Sequence, residues 1–208
     1  MSDKNLQVGR VLRAGTRGFS IGCAVMQPDI PVFGSFVRVQ GHASGQAIYG
    51  LIYDVSVEDD PFVRQFIGAN PPEEVVLDQR ENRQVPIEVN VLAVGCADSA
   101  TALPGTHPSP AVIHHRLPAQ PPVTLDWLYQ CNDEEVRAFT ARFDYFRLVL
   151  EAREVPADEL LAASLRAAAA ARPESERDTF LVDAGRELVR LLAGDPTRLE
   201  GLLRRLRA

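Results

Sequence analysis

Hydrophobic positions recur every second residue in the first part of this chain and every third or fourth residue in the last part. Leu6-Gln7-Val8-Gly9-Arg10-Val11-Leu12 alternates imperfectly, and the switch at Val11-Leu12 beside Gly9 predicts a strand with a bulge. Gly15-Thr16-Arg17-Gly18 reads as a turn. Phe19 to Val25 alternates large and small residues, as the interior of a tight barrel requires. Alternation resumes from Phe33 to Val39, and Ala47 to Val55 is the strongest strand signal in the chain. Asp60 before Pro61 predicts a helix start, with Phe62, Phe66 and Ile67 at helical spacing behind it. Pro71-Pro72-Glu73-Glu74 opens a second short helix or turn. Val85 to Val94 returns to strand, and Pro86 places its start at a sheet edge.

Residues 97–123 hold clustered prolines with Gly, Ser, Thr and the pair His114-His115, the composition of an extended linker. From Leu125 onward the pattern predicts only helices. Asn132 with Glu135 forms a capping box, followed by one apolar stripe of Val136, Phe139, Phe143, Phe146 and Leu150. Pro156 and Pro173 open two further helices, and Gly194-Asp195-Pro196 stops one helix and caps the next. The fold class expected is α+β. A small N-terminal β-barrel with a short helical insertion (6–96) precedes a proline-rich linker (97–123) and an all-helical C-terminal region (124–208).

Charge narrows the functions. The chain has 208 residues and a net charge of −6. Residues 1–120 carry 9 basic and 12 acidic groups, and residues 121–208 carry 13 and 16, so neither half has the basic excess of a DNA-binding domain. Lys4 is the only lysine among 22 basic residues. A phosphate-binding loop needs its lysine after a glycine-rich turn, and Lys4 precedes the first strand. Three cysteines far apart, Cys23, Cys96 and Cys131, suit buried apolar side chains better than disulfides or zinc. No apolar run approaches a membrane span, and the polar start Met1-Ser2-Asp3-Lys4-Asn5 resembles no secretory signal, so the expected location is the cytoplasm.

Catalytic motifs are absent from the pattern, and no cofactor or metal is expected. Asp59-Asp60 and Glu73-Glu74 read as helix starts. His114-His115 reads as a pair of solvated loop histidines, and Trp127 and Tyr129 as anchors of the tail on the barrel. The charged run Asp78-Gln79-Arg80-Glu81-Asn82-Arg83 has two readings, a solvated loop or an interface element whose arginines grip carboxylate or phosphate. Arg17, at a glycine-flanked turn, has the same two readings.

Val8-Gly9-Arg10-Val11, Phe19-Ser20-Ile21, Gly34-Ser35-Phe36-Val37-Arg38-Val39 and Tyr49-Gly50-Leu51-Ile52-Tyr53 together resemble a HAS barrel. That is the small barrel at the N-terminus of HerA-type DNA-translocating ATPases and of rotary ATP synthase subunits. The resemblance covers about residues 6–95, with Gly9, Gly34 and Gly50 as the matching glycines. In that family the barrel assembles the ring and, in the HerA type, docks a nuclease. The ATPase core that follows the barrel there has no counterpart here. The resemblance implies a non-catalytic assembly or adaptor protein in DNA processing, with an ATPase ring, a nuclease or a second copy as partner. Arg17, Arg38, Tyr49, Tyr53, Asp78, Arg80 and Arg83 are the candidate interface residues. The alternative is a module that binds single-stranded nucleic acid through Phe36, Arg38, Tyr49 and Tyr53. The acidic balance of both halves opposes direct nucleic-acid contact. An enzyme whose site assembles from distant residues is a third class.

Overall fold

A computed structural model describes residues 6–26, 31–40, 46–57, 65, 68–82, 84–98 and 112–207. The expected helix start at Asp60-Pro61 and much of the proline-rich stretch lie outside them.

The alternating segments become β1 (Gln7–Ala14), β2 (Gly18–Met26), β3 (Phe36–Gln40), β4 (Ala47–Val57) and β5 (Gln84–Ala97). A helix α1 (Glu73–Asn82) separates the last two, with Glu73 and Glu74 at its positive end. The charged run beginning at Asp78 is therefore helical through Asn82 and not a loop. The bulge falls where the sequence placed it. Val11 pairs with Ile21 and Arg13 with Ser20, leaving Leu12 as the extra residue. Pro86 lies opposite Ala24 of β2, while pairing with β4 begins only at Ile87. Its missing N–H thus costs no ladder bond on the β4 side.

The barrel closes with a strand from beyond the linker. Residues Trp127–Gln130 form β7, which lies between β1 and β3. Leu128 is paired with Gly9 on one side and Val39 on the other. The strand order is β2-β1-β7-β3-β4-β5, and β5 pairs back onto β2, giving a closed six-stranded antiparallel barrel. The expectation that everything after Leu125 is helical is corrected here. Trp127-Leu128-Tyr129 alternates with period two, and Leu128 points into the barrel with no exposed surface. A two-residue strand β6 (Ile113–His114) adds to the far end of β5.

The helices follow their sequence punctuation. Asn132 and Glu135 form the capping box of α2 (Asp133–Phe139), with Glu135 N–H donating to Asn132 Oδ1 at 2.8 Å. The single apolar stripe is split. α2 ends at Thr140, whose hydroxyl donates back to the Val136 carbonyl at 2.7 Å, and α3 (Tyr145–Leu150) begins anew. α4 (Ala157–Ala170), α5 (Glu174–Leu191) and α6 (Pro196–Arg207) complete the chain. Asp195 caps α6 through the Arg198 N–H at 3.0 Å.

Two cores share one sheet. Val8, Val11, Phe19, Ile21, Val37, Ile52, Val89, Val91 and Leu128 fill the barrel. Phe36, Tyr49, Leu51, Leu92 and Val94 point the other way and join Phe139, Tyr145, Phe146, Leu160, Leu161 and Leu165 of the helices. Burial on both faces explains why β4 reads as an almost unbroken apolar run. Each such side chain contributes about 1.5–3 kcal/mol of burial, and those of the second core join the barrel to the helices. Gly34 marks the closest approach. It has φ 84°, and a Cβ there would come within 2.5 Å of Ala163 on α4.

Candidate interaction surface

The outer surface of the barrel divides into two walls. The outward residues of β3, β4 and β5 are covered by the helices. At the centre of that seam the rings of Tyr49 and Phe139 stack at 5.0 Å, and Phe36 and Tyr145 meet edge-on at 6.2 Å. Among the described residues no helix packs closely on the outward residues of β1 and β7, whose neighbour is the loop that leads into β7.

The candidate residues are placed on both sides of this division. Tyr49 is only 7% exposed and serves the seam, so it offers no ring to an outside partner. Burial, then the neighbouring Cys131 and Glu135, push its hydroxyl up to about 12. Arg38 is an internal clasp. Its Nε donates to Glu135 Oε1, and its guanidinium lies 5.3 Å from the Tyr129 ring centre. Glu135 thus closes the α2 capping box with one oxygen and holds β3 with the other. Tyr53 is half-buried beside Arg13, Gly15, Gly18, Ser20 and Asn90, which line a shallow depression of about 250 Å³. Among the described candidates Arg17 is the one whose side chain is mostly exposed. Its side chain is 65% exposed and reaches Glu154 at 3.3 Å, an ion pair between barrel and helical region. The side chains of Asp78 and Arg80 and the whole of Arg83 lie outside the described residues.

The two adjacent histidines separate. His114 is at the surface, 3.2 Å from Asp98 Oδ2, and Gln46 donates to the other oxygen of that carboxylate at 2.6 Å. These contacts, that with Gln46 foremost, hold the Asp98 carboxyl below its usual range. His115 is not a solvated loop residue. Its side chain is 5% exposed, its Nε2 bonds the Phe139 carbonyl at 3.0 Å, and its ring lies 4.6 Å from that of Phe139. That contact assigns the proton to Nε2 and leaves Nδ1 bare, 3.8 Å from Asp144 Oδ2. Burial pushes the His115 pKa down.

The β1–β7 wall is organised around Arg10, which the sequence did not single out. Its guanidinium lies 3.9 Å above the Trp127 ring and donates to the Leu125 carbonyl at 2.8 Å. Leu125 returns a bond from its own N–H to the Val11 carbonyl at 2.9 Å and has φ 72°. Trp127 and Tyr129 anchor no separate tail, being part of the barrel itself. The legible signal was the pairing of an outward arginine in one strand with an outward tryptophan in another.

The free thiols Cys23, Cys96 and Cys131 all have pKa values raised by burial, which keeps them as unreactive thiols near neutrality. Among the described residues no three His, Cys, Asp or Glu side chains gather as a metal site, and no helix is long and apolar enough to cross a membrane. No protein-family model matches the chain, and a search of the curated proteins returns no significant match.

Proposed function

We propose that this chain is a non-catalytic assembly or adaptor protein of the cytoplasm. It uses a HAS-like barrel to hold a protein partner, such as a HerA-type ATPase ring or a nuclease in DNA processing. The observation that carries this reading is the division of a closed barrel into one wall sealed by its own helices and one wall that none of the described helices covers. The absence of a lysine-bearing phosphate loop supports a role without nucleotide hydrolysis.

The single-strand alternative has less support. Of its four residues, Phe36 and Tyr49 are buried in the seam and Arg38 is tied to Glu135, which leaves Tyr53 alone. The test is co-purification of the tagged protein under chemical cross-linking, followed by reconstitution with the partner recovered. A stoichiometric complex that changes the partner's assembly or turnover is the expected result. A strict monomer with no partner overturns the reading. So does magnesium-dependent ATP turnover that survives repeated purification of the isolated chain.

A further inference from the structure

Residues 112–116 form a thin strap at the far end of β5. His114 pairs with Cys96 and Ile113 with Ala97, and the Asp98 N–H donates to the Val112 carbonyl at 3.2 Å. His114 adds a surface contact to the Asp98 carboxylate, which is 50% exposed. A segment held by so few bonds can open while the rest of the fold stays intact. Its one deep attachment is His115. The imidazole lies 4.6 Å from the Phe139 ring and meets Tyr145 edge-on at 5.4 Å, and its Nε2 donates to the Phe139 carbonyl. Phe139 ends α2 and Tyr145 begins α3, so a single side chain ties the strap to the joint between two helices.

The surroundings of this ring suit its neutral form. Nδ1 has no hydrogen-bond partner, and Asp144 Oδ2 stands 3.8 Å away. That carboxylate is half solvated and already engaged, by Arg142 at 2.7 Å and by the field of Arg190 on α5. The Tyr145 hydroxyl on α3 and the Cys96 thiol on β5 are both kept neutral by burial. Asp98 on β5 faces His114 instead, and Arg116, next along the strap, adds a cation beside it. An imidazolium at this position would be a buried charge whose only close counterion is shared.

We propose that residues 112–116 are a proton-operated latch: when His115 takes up a proton, the strap leaves the seam while the barrel and the helices stay folded. Once released, the ring is solvated and binds a proton at about pH 6.5, as an ordinary histidine does. The docked ring binds it less readily, chiefly because it is buried. Each pH unit below about 6.5 therefore favours release by up to about tenfold, until the docked ring also titrates. Release takes a cover off Phe139 and Tyr145 and frees the backbone edge of β5 at residues 96–98, a surface hidden at neutral pH. The adjacent His114 acts the other way. A proton on its ring charges the contact with Asp98 and favours the docked strap, though weakly, because that pair is exposed. The latch stands apart from the adaptor reading and needs no partner.

Hydrogen-exchange mass spectrometry of the full chain at pH 7.5 and 5.5 tests it, with each rate expressed against the intrinsic rate at that pH. Protection of residues 112–116 and of the Asp98 amide is expected to fall several-fold, up to about tenfold, on acidification. The amides of α4 are expected to stay at least about tenfold better protected than the strap at both pH values. His115→Gln removes the fall, and His114→Gln retains it, with circular dichroism confirming that each variant is folded. Unchanged strap protection in wild type overturns the proposal, as does a fall that persists in His115→Gln or vanishes in His114→Gln. A common exchange rate for strap and α4 means global unfolding and overturns it too. If His115→Gln does not fold, NMR of the wild type decides. The His115 ring signals are expected to change over the same pH interval as the strap protection, and a change confined to the His114 ring defeats the latch.

Discussion

The wall covered by helices and the wall that none of the described helices covers are built from the same kind of strand, yet their outward residues differ in composition. On the covered side Phe36, Tyr49, Leu51, Leu92 and Val94 form a dry aromatic and aliphatic seam, and its one strand arginine, Arg38, is tied to a carboxylate. On the β1–β7 side the outward residues are Arg10, Leu12, Arg13 and Trp127, with cations and aliphatics interleaved. The first composition suits a permanent internal contact, whose loss unfolds the molecule. The second resembles a surface that must be stable in water and still adhere to something. A closed barrel makes this division possible, because with no free edge each wall is free to specialise.

The largest expected effect tests the seam. Phe139→Ala removes the ring that stacks on Tyr49 and contacts Phe36, Tyr145 and His115, and is expected to cost about 3–5 kcal/mol. Leu12→Ser, on the β1–β7 wall, is expected to cost under about 1 kcal/mol. Urea unfolding of both variants measures the contrast, and equal losses would erase the distinction between the walls.

Acid is expected to loosen the seam through His115. The folded state holds its pKa below the unfolded value of about 6.5, chiefly by burial. The unfolded chain therefore takes up the proton first. The contribution of neutral His115 is complete above pH about 6.5 and is lost as pH falls toward the depressed folded value, at up to about 1.4 kcal/mol per pH unit. Asp144, beside Nδ1, favours the imidazolium, and Arg142, paired with Asp144 at 2.7 Å, opposes it. The difference in thermal midpoint between pH 7.5 and 5.5 should shrink in His115→Gln relative to wild type. An unchanged difference would remove His115 from the acid response.

The smallest effect has the opposite sign. Leu125→Gly releases a left-handed leucine and is expected to stabilise the fold by about 0.5–1 kcal/mol net of the glycine's chain entropy. A lower thermal midpoint would mean that the Leu125 side chain packs rather than projects.

Much of this arrangement was legible in the residues. Period-two alternation located β1 to β5, the Val11-Leu12 slip located the bulge, and Asn132, Pro156, Pro173 and Asp195 located helix starts. These features are local, and a window of a few residues contains their cause. β7 was missed because four residues after a proline stretch carry little strand signal. Their partners, Gly9 and Val39, are distant in sequence. The seam was missed for a related reason. Alternation reports that a strand has two faces, and only tertiary packing decides that the second face of β4 is also buried. That is why Tyr49 read as a surface ring and the adjacent His114 and His115 as alike, although one is wet and the other dry.

The late origin of β7 also sets a schedule for synthesis. As the chain leaves the ribosome, β1 and β3 emerge early, and the strand that must lie between them is not yet made. Until Gln130 is outside the exit tunnel, the facing backbone groups of both strands stay unpaired and the barrel interior stays open to water. The proline-rich stretch is translated during this wait, and α2 follows almost at once, with only Cys131 and Asn132 between its first residue and the closing strand. Closure of the barrel and docking of the first helix are thus nearly one event in time, and a nascent chain stalled within residues 97–123 would be an open, adhesive sheet in need of a chaperone.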